Sequence, residues 1–345
     1  RQQGQISAVL NSPFGLGESI SLFGLARPTI KGMKGTGLDT PIRAGGVSVS
    51  VPIGHNGLTA GVSYMESMTR PGGAASSLAL EANMKSATGT ISYPIHYSRN
   101  TAAFLRASLG WTDEVQHTNT SGEDEDLSHD RVTTLRFGAS VNQCKSGCLG
   151  LDFQFSRGID VGSRSHNEAG NGTPLSRSEG KTNFSHFNFN TNYKFSPVDN
   201  YEVDLKAGGQ YSLDDLLNSE QTSITGSNKL SGFTSGSISG DEAWYIRGQL
   251  NRHYNVSNQI KLTPYVYGAA GVAYTLSPTA VEERATAAKS IGLGLKFQGL
   301  DKLFFQKTIS GKVEYSKNWA TGKLEDLSDV RLRKQHLLVL LAMNF

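Results

Sequence analysis

No stretch of this chain is apolar for long enough to make a transmembrane helix. The longest uninterrupted apolar run, Leu337–Met343, has seven residues, against the ~20 that a helical span needs. Hydrophobic residues are only 37% of the 345, and mean hydropathy is −0.33. Neither sign of charge dominates. Thirty-three Lys and Arg against thirty Asp and Glu leave a formal +3, too little to argue for a nucleic-acid partner, and there is no basic cluster. The two cysteines give no zinc-type Cys/His spacing, and no glycine-rich phosphate loop opens a helix. No metal, cofactor or nucleic acid is therefore expected. The first residue is Arg1, with neither methionine nor signal peptide before it, which reads as a piece of a longer protein.

What the chain has in quantity is glycine, 39 residues, and alternation of period two. In Thr133–Cys144, Leu135, Phe137, Ala139 and Val141 share one face, and Thr134, Arg136, Ser140 and Asn142 the other. In Cys148–Gly158, Leu149, Leu151, Phe153 and Phe155 oppose Asp152, Gln154 and Ser156. In Phe184–Ser196, Phe187, Phe189, Tyr193 and Phe195 oppose Asn188, Asn190, Asn192 and Lys194. Glu202–Leu213 sets Val203, Leu205, Ala207 and Tyr211 against Asp204, Lys206 and Gln210. Such alternation means extended strands with chemically distinct faces. Soluble strands average about five or six residues, whereas tilted strands that cross a bilayer need about 9–11. Length favours the membrane.

Further strands fall at Gly4–Leu10, Ser19–Arg27, Arg43–Ile53, Leu58–Glu66, Glu81–Ile95, Ala102–Thr118, Trp244–Tyr254, Gln259–Leu276, Ala288–Phe297, Thr308–Trp319 and Gln335–Phe345. The total is about fifteen. Short turns alternate with long connections, as they do between the periplasmic and extracellular ends of an outer-membrane barrel. Residues 28–42 read as one of the long loops, and the acidic run Glu123–Asp126 as the solvated tip of another. The fold class is therefore all-β: a single transmembrane antiparallel β-barrel of the outer membrane over residues 1–345. Its last strand alternates toward Phe345, as in the C-terminal strand that such barrels present to their insertion machinery. A buried strand of a soluble sandwich would show the same local pattern.

The connection over residues 214–243 is the longest, and its middle carries the most specific signal. Glu220-Gln221-Thr222, Ile224-Thr225-Gly226, Leu230-Ser231-Gly232-Phe233 and Ser239-Gly240-Asp241 resemble the inward-folding loop of the two-partner secretion transporters. Asn11-Ser12-Pro13-Phe14-Gly15-Leu16-Gly17-Glu18 resembles a barrel turn of that family, and Ser156-Arg157-Gly158-Ile159 and Ile291-Gly292-Leu293-Gly294-Leu295 resemble family strand ends. The resemblance implies a sixteen-stranded barrel whose first strand, together with POTRA domains, lies upstream of Arg1. It implies export of a large unfolded exoprotein, of adhesin or haemolysin type, without ATP. Outer-membrane lipid and lipopolysaccharide and the barrel-insertion machinery would be the other partners. It also implies a departure. The family's loop arginine falls at Ser231 and its wall aspartate at Ala269, so this loop tip is expected to rely on Phe233 packing and neutral hydrogen bonds and to be more mobile. Lys229 is the alternative donor. Rival readings are a barrel-insertion factor of the same superfamily, a passive porin and a barrel enzyme.

The polar face contributes a mixed-sign lining for the pore: Arg136, Asp152, Asn188, Asn190, Lys194, Asp204, Lys206, Arg247, Lys312 and Glu314. A selective ion channel would use a ring of one sign. His186 lies near Ser185 and Asn188, but no motif orders them as a hydrolase, and a hydrated lumen histidine is expected, with no catalytic residue. Cys144 and Cys148 flank a three-residue turn and face each other across a hairpin. A disulfide on the periplasmic side is the preferred reading over free thiols or part of a metal site.

Overall fold

The computed structural model describes residues 4–30, 38–70, 80–118, 125–164, 172–257, 259–280, 282–301, 307–321 and 334–344. Wherever aliphatic and aromatic residues alternate with small or polar ones, the chain is extended and paired with its sequence neighbour. The strands are β1 (Gly4–Asn11), β2 (Ser19–Ile30), β3 (Leu38–Ile53), β4 (Leu58–Thr69), β5 (Leu80–Tyr97), β6 (Thr101–Thr118), β7 (Glu125–Cys144), β8 (Cys148–Ile159), β9 (Ser185–Phe195) and β10 (Tyr201–Ser212). After them come the two-residue β11 (Thr222–Ser223) and β12 (Ser239–Gly240), then β13 (Glu242–Arg252), β14 (Tyr254–Asn255), β15 (Ile260–Tyr274), β16 (Ala285–Asp301), β17 (Lys307–Ala320) and β18 (Gln335–Asn344).

One antiparallel sheet runs β1 through β10, then β13, β15, β16, β17 and β18, with β14 pairing β15 off this path. Each strand pairs only with its neighbours along the path, the up-and-down order of an outer-membrane barrel. No ladder joins β1 to β18 among the described residues.

The alternation fixes which face is which. Val62, Ile91, Leu109, Phe137, Phe153, Ile246, Val266, Leu293 and Leu337 are exposed, and so lie on the outer, lipid-facing side. Their polar alternates Thr134, Ser156, Asp204, Arg247, Glu314 and Ser316 are buried. This inversion of the soluble pattern is what lipid outside and a polar lumen require. The apolar clusters are correspondingly small. One joins Ile224, Leu230, Phe233 and Ile238 of the long loop to Tyr265, Tyr267, Ala269 and Ala273 on the inner face of β15. The other gathers Val132, Leu175, Phe184, Leu216 and Leu217 at the long-loop end.

Several strands run further than their alternation indicated. Glu125 and Asp126 are not a loop tip but open β7, where Asp126 pairs with His117; residues 123 and 124 lie outside the described residues. Of the supposed loop 28–42, residues 28–30 belong to β2 and 38–42 to β3, while 31–37 lie outside the described residues. β2 continues past Pro28 by a register shift between Arg27 and Thr29, and Pro94 is accommodated by a similar shift in β5. A proline cannot donate to the ladder, so a bulge is where it belongs. Phe345 lies outside the described residues. At the opposite end the turns are tight: Gly54 and Gly57 adopt positive φ in the β3–β4 turn. In the β1–β2 turn, Glu18 accepts hydrogen bonds from the backbone N–H groups of Phe14 and Leu16.

Candidate functional site

The connection between β10 and β13 does not leave the barrel. It turns back along the inner face of the sheet as a small hairpin of its own, with β11 and β12 pairing Thr222 with Gly240 and Ser223 with Ser239. Three polar fastenings hold it, and each joins a loop residue to residues far away in sequence.

The root is Glu220, in a 3-10 turn over Asn218–Glu220. Arg136 Nη2 on β7 donates to its two carboxylate oxygens at 2.8 and 3.0 Å. His186 Nε2 on β9 lies 3.4 Å away, with Thr134 Oγ1 at 3.5 Å. Burial pushes the Glu220 carboxyl up, but the His186 hydrogen bond and the Arg136 charge more than reverse this, leaving it below the usual carboxylate range. His186 is thus no hydrated lumen residue. It is buried, stacked on Phe184, because the loop root covers it.

The tip is Ser231. Arg247 Nη1 on β13 donates to Ser231 Oγ at 2.6 Å and to the Lys229 carbonyl at 3.1 Å. The serine hydroxyl in turn donates to Glu314 Oε1 on β17. Arg247 Nη2 donates to Glu314 Oε2 at 3.2 Å, and the guanidinium lies over the Tyr267 ring, 3.7 Å from its centre. Tyr265 donates to Glu314 at 2.6 Å, and Lys312 Nζ is 2.9 Å from the same carboxylate. Gly294, inward on β16 between these strands, makes this possible: a Cβ there would collide with the Tyr265 ring as it crosses to Glu314. Gly232 is equally constrained. Its carbonyl accepts from Asn318 Nδ2 at 2.5 Å, and a Cβ would overlap the Asn318 amide.

The exit is Asp241, fully buried. Arg177, from the β8–β9 connection, donates to Asp241 Oδ1 at 2.6 Å and to the Leu216 carbonyl at 2.8 Å. Asp241 also accepts from the backbone N–H groups of Leu216 at 3.0 Å and Leu276 at 2.9 Å, so one carboxylate ties three connections together. Gln210 on β10 donates to the carbonyls of both Glu220 and Asp241.

A polypeptide loop fastened to the inner wall of a large barrel narrows the families to be considered, and the sequence decides among them. Residues 1–296 match the model of the haemolysin secretion/activation protein family ShlB/FhaC/HecB. The chain belongs to that family. No curated protein matches it in sequence. Its fold is similar to that of CdiB from Escherichia coli (TM-score 0.74, 16% identity, 99% of this chain and 59% of that one). It is also similar to CdiB from Acinetobacter baumannii (0.67, 15% identity, 99% and 56%). BamA from Haemophilus ducreyi lacking POTRA domains 1–3 is a further similar structure (0.60, 12% identity, 99% and 67%). The chain thus spans between half and two thirds of the length of the two CdiB chains. As a member of this family it is a barrel of the Gram-negative outer membrane.

Within this family member, the tip differs from what the resemblance implied. Ala269 does face the loop, in the cluster with Leu230 and Phe233. The tip is nevertheless not limited to neutral hydrogen bonds. The arginine sits on the wall at Arg247, directly paired with Ala269 on the neighbouring strand, its acid is Glu314 on β17, and Ser231 bridges the two. Lys229 is not the substitute donor to the wall acid; it donates to the Ser223 carbonyl and lies over Tyr245. Of the pore-lining candidates, Arg136, Arg247 and Glu314 touch the loop, and Lys312 reaches it through Glu314. The others pair along the wall: Asp152 with Arg106, Asn188 with Gln210 at 2.6 Å, Asn190 with Tyr245 at 3.3 Å, and Asp204 with Lys194 and Lys206 at 3.9 and 4.0 Å. Cys144 and Cys148 form a disulfide at the β7–β8 turn, with Cα atoms 4.1 Å apart. Among the described residues no group of three or more His, Cys, Asp or Glu could hold a metal.

Proposed function

We propose that this barrel is the translocator of a two-partner secretion system. It passes a large unfolded exoprotein outward, and the 213–241 loop is the movable part that obstructs the path at rest. The observation that carries this reading is the chemistry of the fastenings. The loop is held by ionised groups of the inner wall, Arg136, Arg247 and Glu314. A buried ion pair repays little more than its desolvation cost, and these groups regain water when the loop withdraws into a hydrated lumen. Such a hold is firm while dry and cheap to break once wet. Packing alone, in which Leu230 and Phe233 would each lose about 1.5–3 kcal/mol on exposure, has no such compensation. A strand supplied from upstream would sit between β1 and β18, which no ladder joins among the described residues, and POTRA domains preceding it would receive the exoprotein.

The test is a lock. A Cβ at position 232 would lie 2.6 Å from Asn318 Cγ, close enough for a disulfide between Gly232→Cys and Asn318→Cys, built with Cys144 and Cys148 changed to Ser. Oxidation should hold single-channel conductance at its resting level and stop export of the cognate exoprotein. Reduction should restore both. Undiminished export through the oxidised barrel would sink the proposal.

A further inference from the structure

The outer face of β3–β7 carries a second feature, unconnected with the loop. Going toward the long-loop end, the lipid-facing residues change character within one step. Tyr64, Ala87, Trp111 and Thr133 stand side by side in register across β4 to β7. The next outward-facing row is Glu66, Lys85, Asp113 and Arg131, charges of alternating sign on four adjacent strands. Beyond it come Arg43, Met68, Asn83, Val115 and His129.

A charge on the lipid face is strongly unfavourable at the bilayer midplane and nearly neutral at the interface. Four in one row therefore mark the edge of the hydrocarbon, and Tyr64 and Trp111 just below form the usual aromatic girdle. The length agrees. Ala87–Tyr97 on β5, about eleven residues, rises about 24 Å at a tilt of 45°, the height of a barrel's apolar band. The charged row is thus level with the headgroups of one leaflet.

Several charges on this face satisfy one another. Arg131 and His129 lie 3.0 and 3.3 Å from Asp113, and Arg70 and His117 lie 2.5 and 3.4 Å from Glu81. Arg43 and Lys85 differ. Both are exposed, and neither has an ion-pair partner among the described residues. They stand on β3 and β5 at either side of β4, about 10 Å apart by strand spacing, and line one recess of about 830 Å³ with Tyr64, Glu66, Asp113 and His117.

We propose that this recess binds the phosphorylated disaccharide headgroup of the outer-leaflet glycolipid, lipopolysaccharide. Arg43 and Lys85 take its phosphates, and Glu66 takes the divalent cations that bridge neighbouring headgroups. Guanidinium and ammonium donors suit phosphate oxygens, and Tyr64 offers its ring to the sugar–acyl boundary. The inference rests on the orientation that places the long loops outside the cell.

The test uses the full-length transporter in detergent, with Lys85 methylation by formaldehyde and borohydride read by mass spectrometry. Diphosphorylated lipid A with magnesium should slow labelling of Lys85 about tenfold, while Lys261, near the opposite end of the barrel, keeps its rate. Inorganic phosphate at the same concentration should protect neither. An Arg43→Ser variant, with folding checked by heat-modifiable migration, should lose about tenfold in lipid A affinity, one charge-assisted contact's worth. Arg43→Lys should keep most of that affinity. Protection by phosphate alone would mean a simple anion site and overturn the proposal. Protection by phosphatidylglycerol but not lipid A would overturn it too, by placing the row in the inner leaflet, a result that leaves the translocator reading to its own test. Full lipid A binding by Arg43→Ser with unprotected Lys85 would also overturn it.

Discussion

Ser231 is one hydroxyl between two charges. It accepts from Arg247 and donates to Glu314, so the neutral side chain at the family's arginine position is held by charges on the wall, where only neutral hydrogen bonds were expected. This alters what a substitution does. Glu314→Gln leaves Arg247 buried with its counter-charge gone, and removing one partner of a buried pair costs about 3–5 kcal/mol. Loop protease protection should fall accordingly. Arg247→Met in the same chain removes the orphaned charge, so the double variant should lose distinctly less than the two singles added. A double-mutant cycle on protection of residues 222–238 measures the coupling. Strict additivity would mean that the two charges act separately and that the serine bridge is incidental.

Among the elements, the β7–β8 hairpin is closed by a disulfide across its turn. Its loop spans about five residues, for which the chain-entropy model gives about 2 kcal/mol. Because the surrounding ladder remains, changing both cysteines to Ser should fray the hairpin end and leave the barrel intact. Hydrogen exchange should quicken for the amides of residues 143–149 only, with heat-modifiable migration unchanged. Acceleration spreading into β6 or β9 would show that the bridge supports more than its own turn. This hairpin is also where the sequence was most legible: a three-residue turn flanked by strict alternation leaves one way for the cysteines to meet. Strand identity, facing and order could be read in the same way, because lipid and lumen impose opposite chemistry on successive residues. Strand ends were harder. Beyond the hydrocarbon both faces become polar, as in Glu125–Arg131 of β7, and alternation loses its meaning. The loop fastenings were hardest. Glu220 stood out as part of a motif, but its partners Arg136 and His186 are 84 and 34 positions away, and no local period connects them. Arg177 carried no signal at all, since a single arginine in a loop acquires its role only when Asp241 is folded against it.

For the whole molecule, the state of the pore should depend on pH through the loop root. The carboxyl of Glu220 lies below its usual range when it is fastened. A depressed carboxylate stabilises the fastened state fully above the free value, about 4.3, and that stabilisation is lost as pH falls through the lower fastened value. Bilayer conductance should therefore stay at its resting level from neutral pH down to about 4 and rise below it. Glu220→Gln, which cannot ionise, should show raised conductance at neutral pH and no further acid step of this origin. A wild-type acid step that survives unchanged in the variant would assign the titration to another group.

The three fastenings sit at different depths along one strip of chain, the tip against the middle of β13 and the root and exit near the long-loop end. How they share a load follows from that spacing. A force drawing on the tip falls first on the contacts of Lys229, Ser231 and Gly232, and the root and exit are strained only after the tip has let go. Bonds loaded in succession are peeled, as a zip is, and the pull required at any instant is that of one bond, whereas the same bonds loaded side by side would resist as a sum. The loop can thus be secure against thermal wandering, which must undo everything at once, and still yield to a chain that pushes on one end.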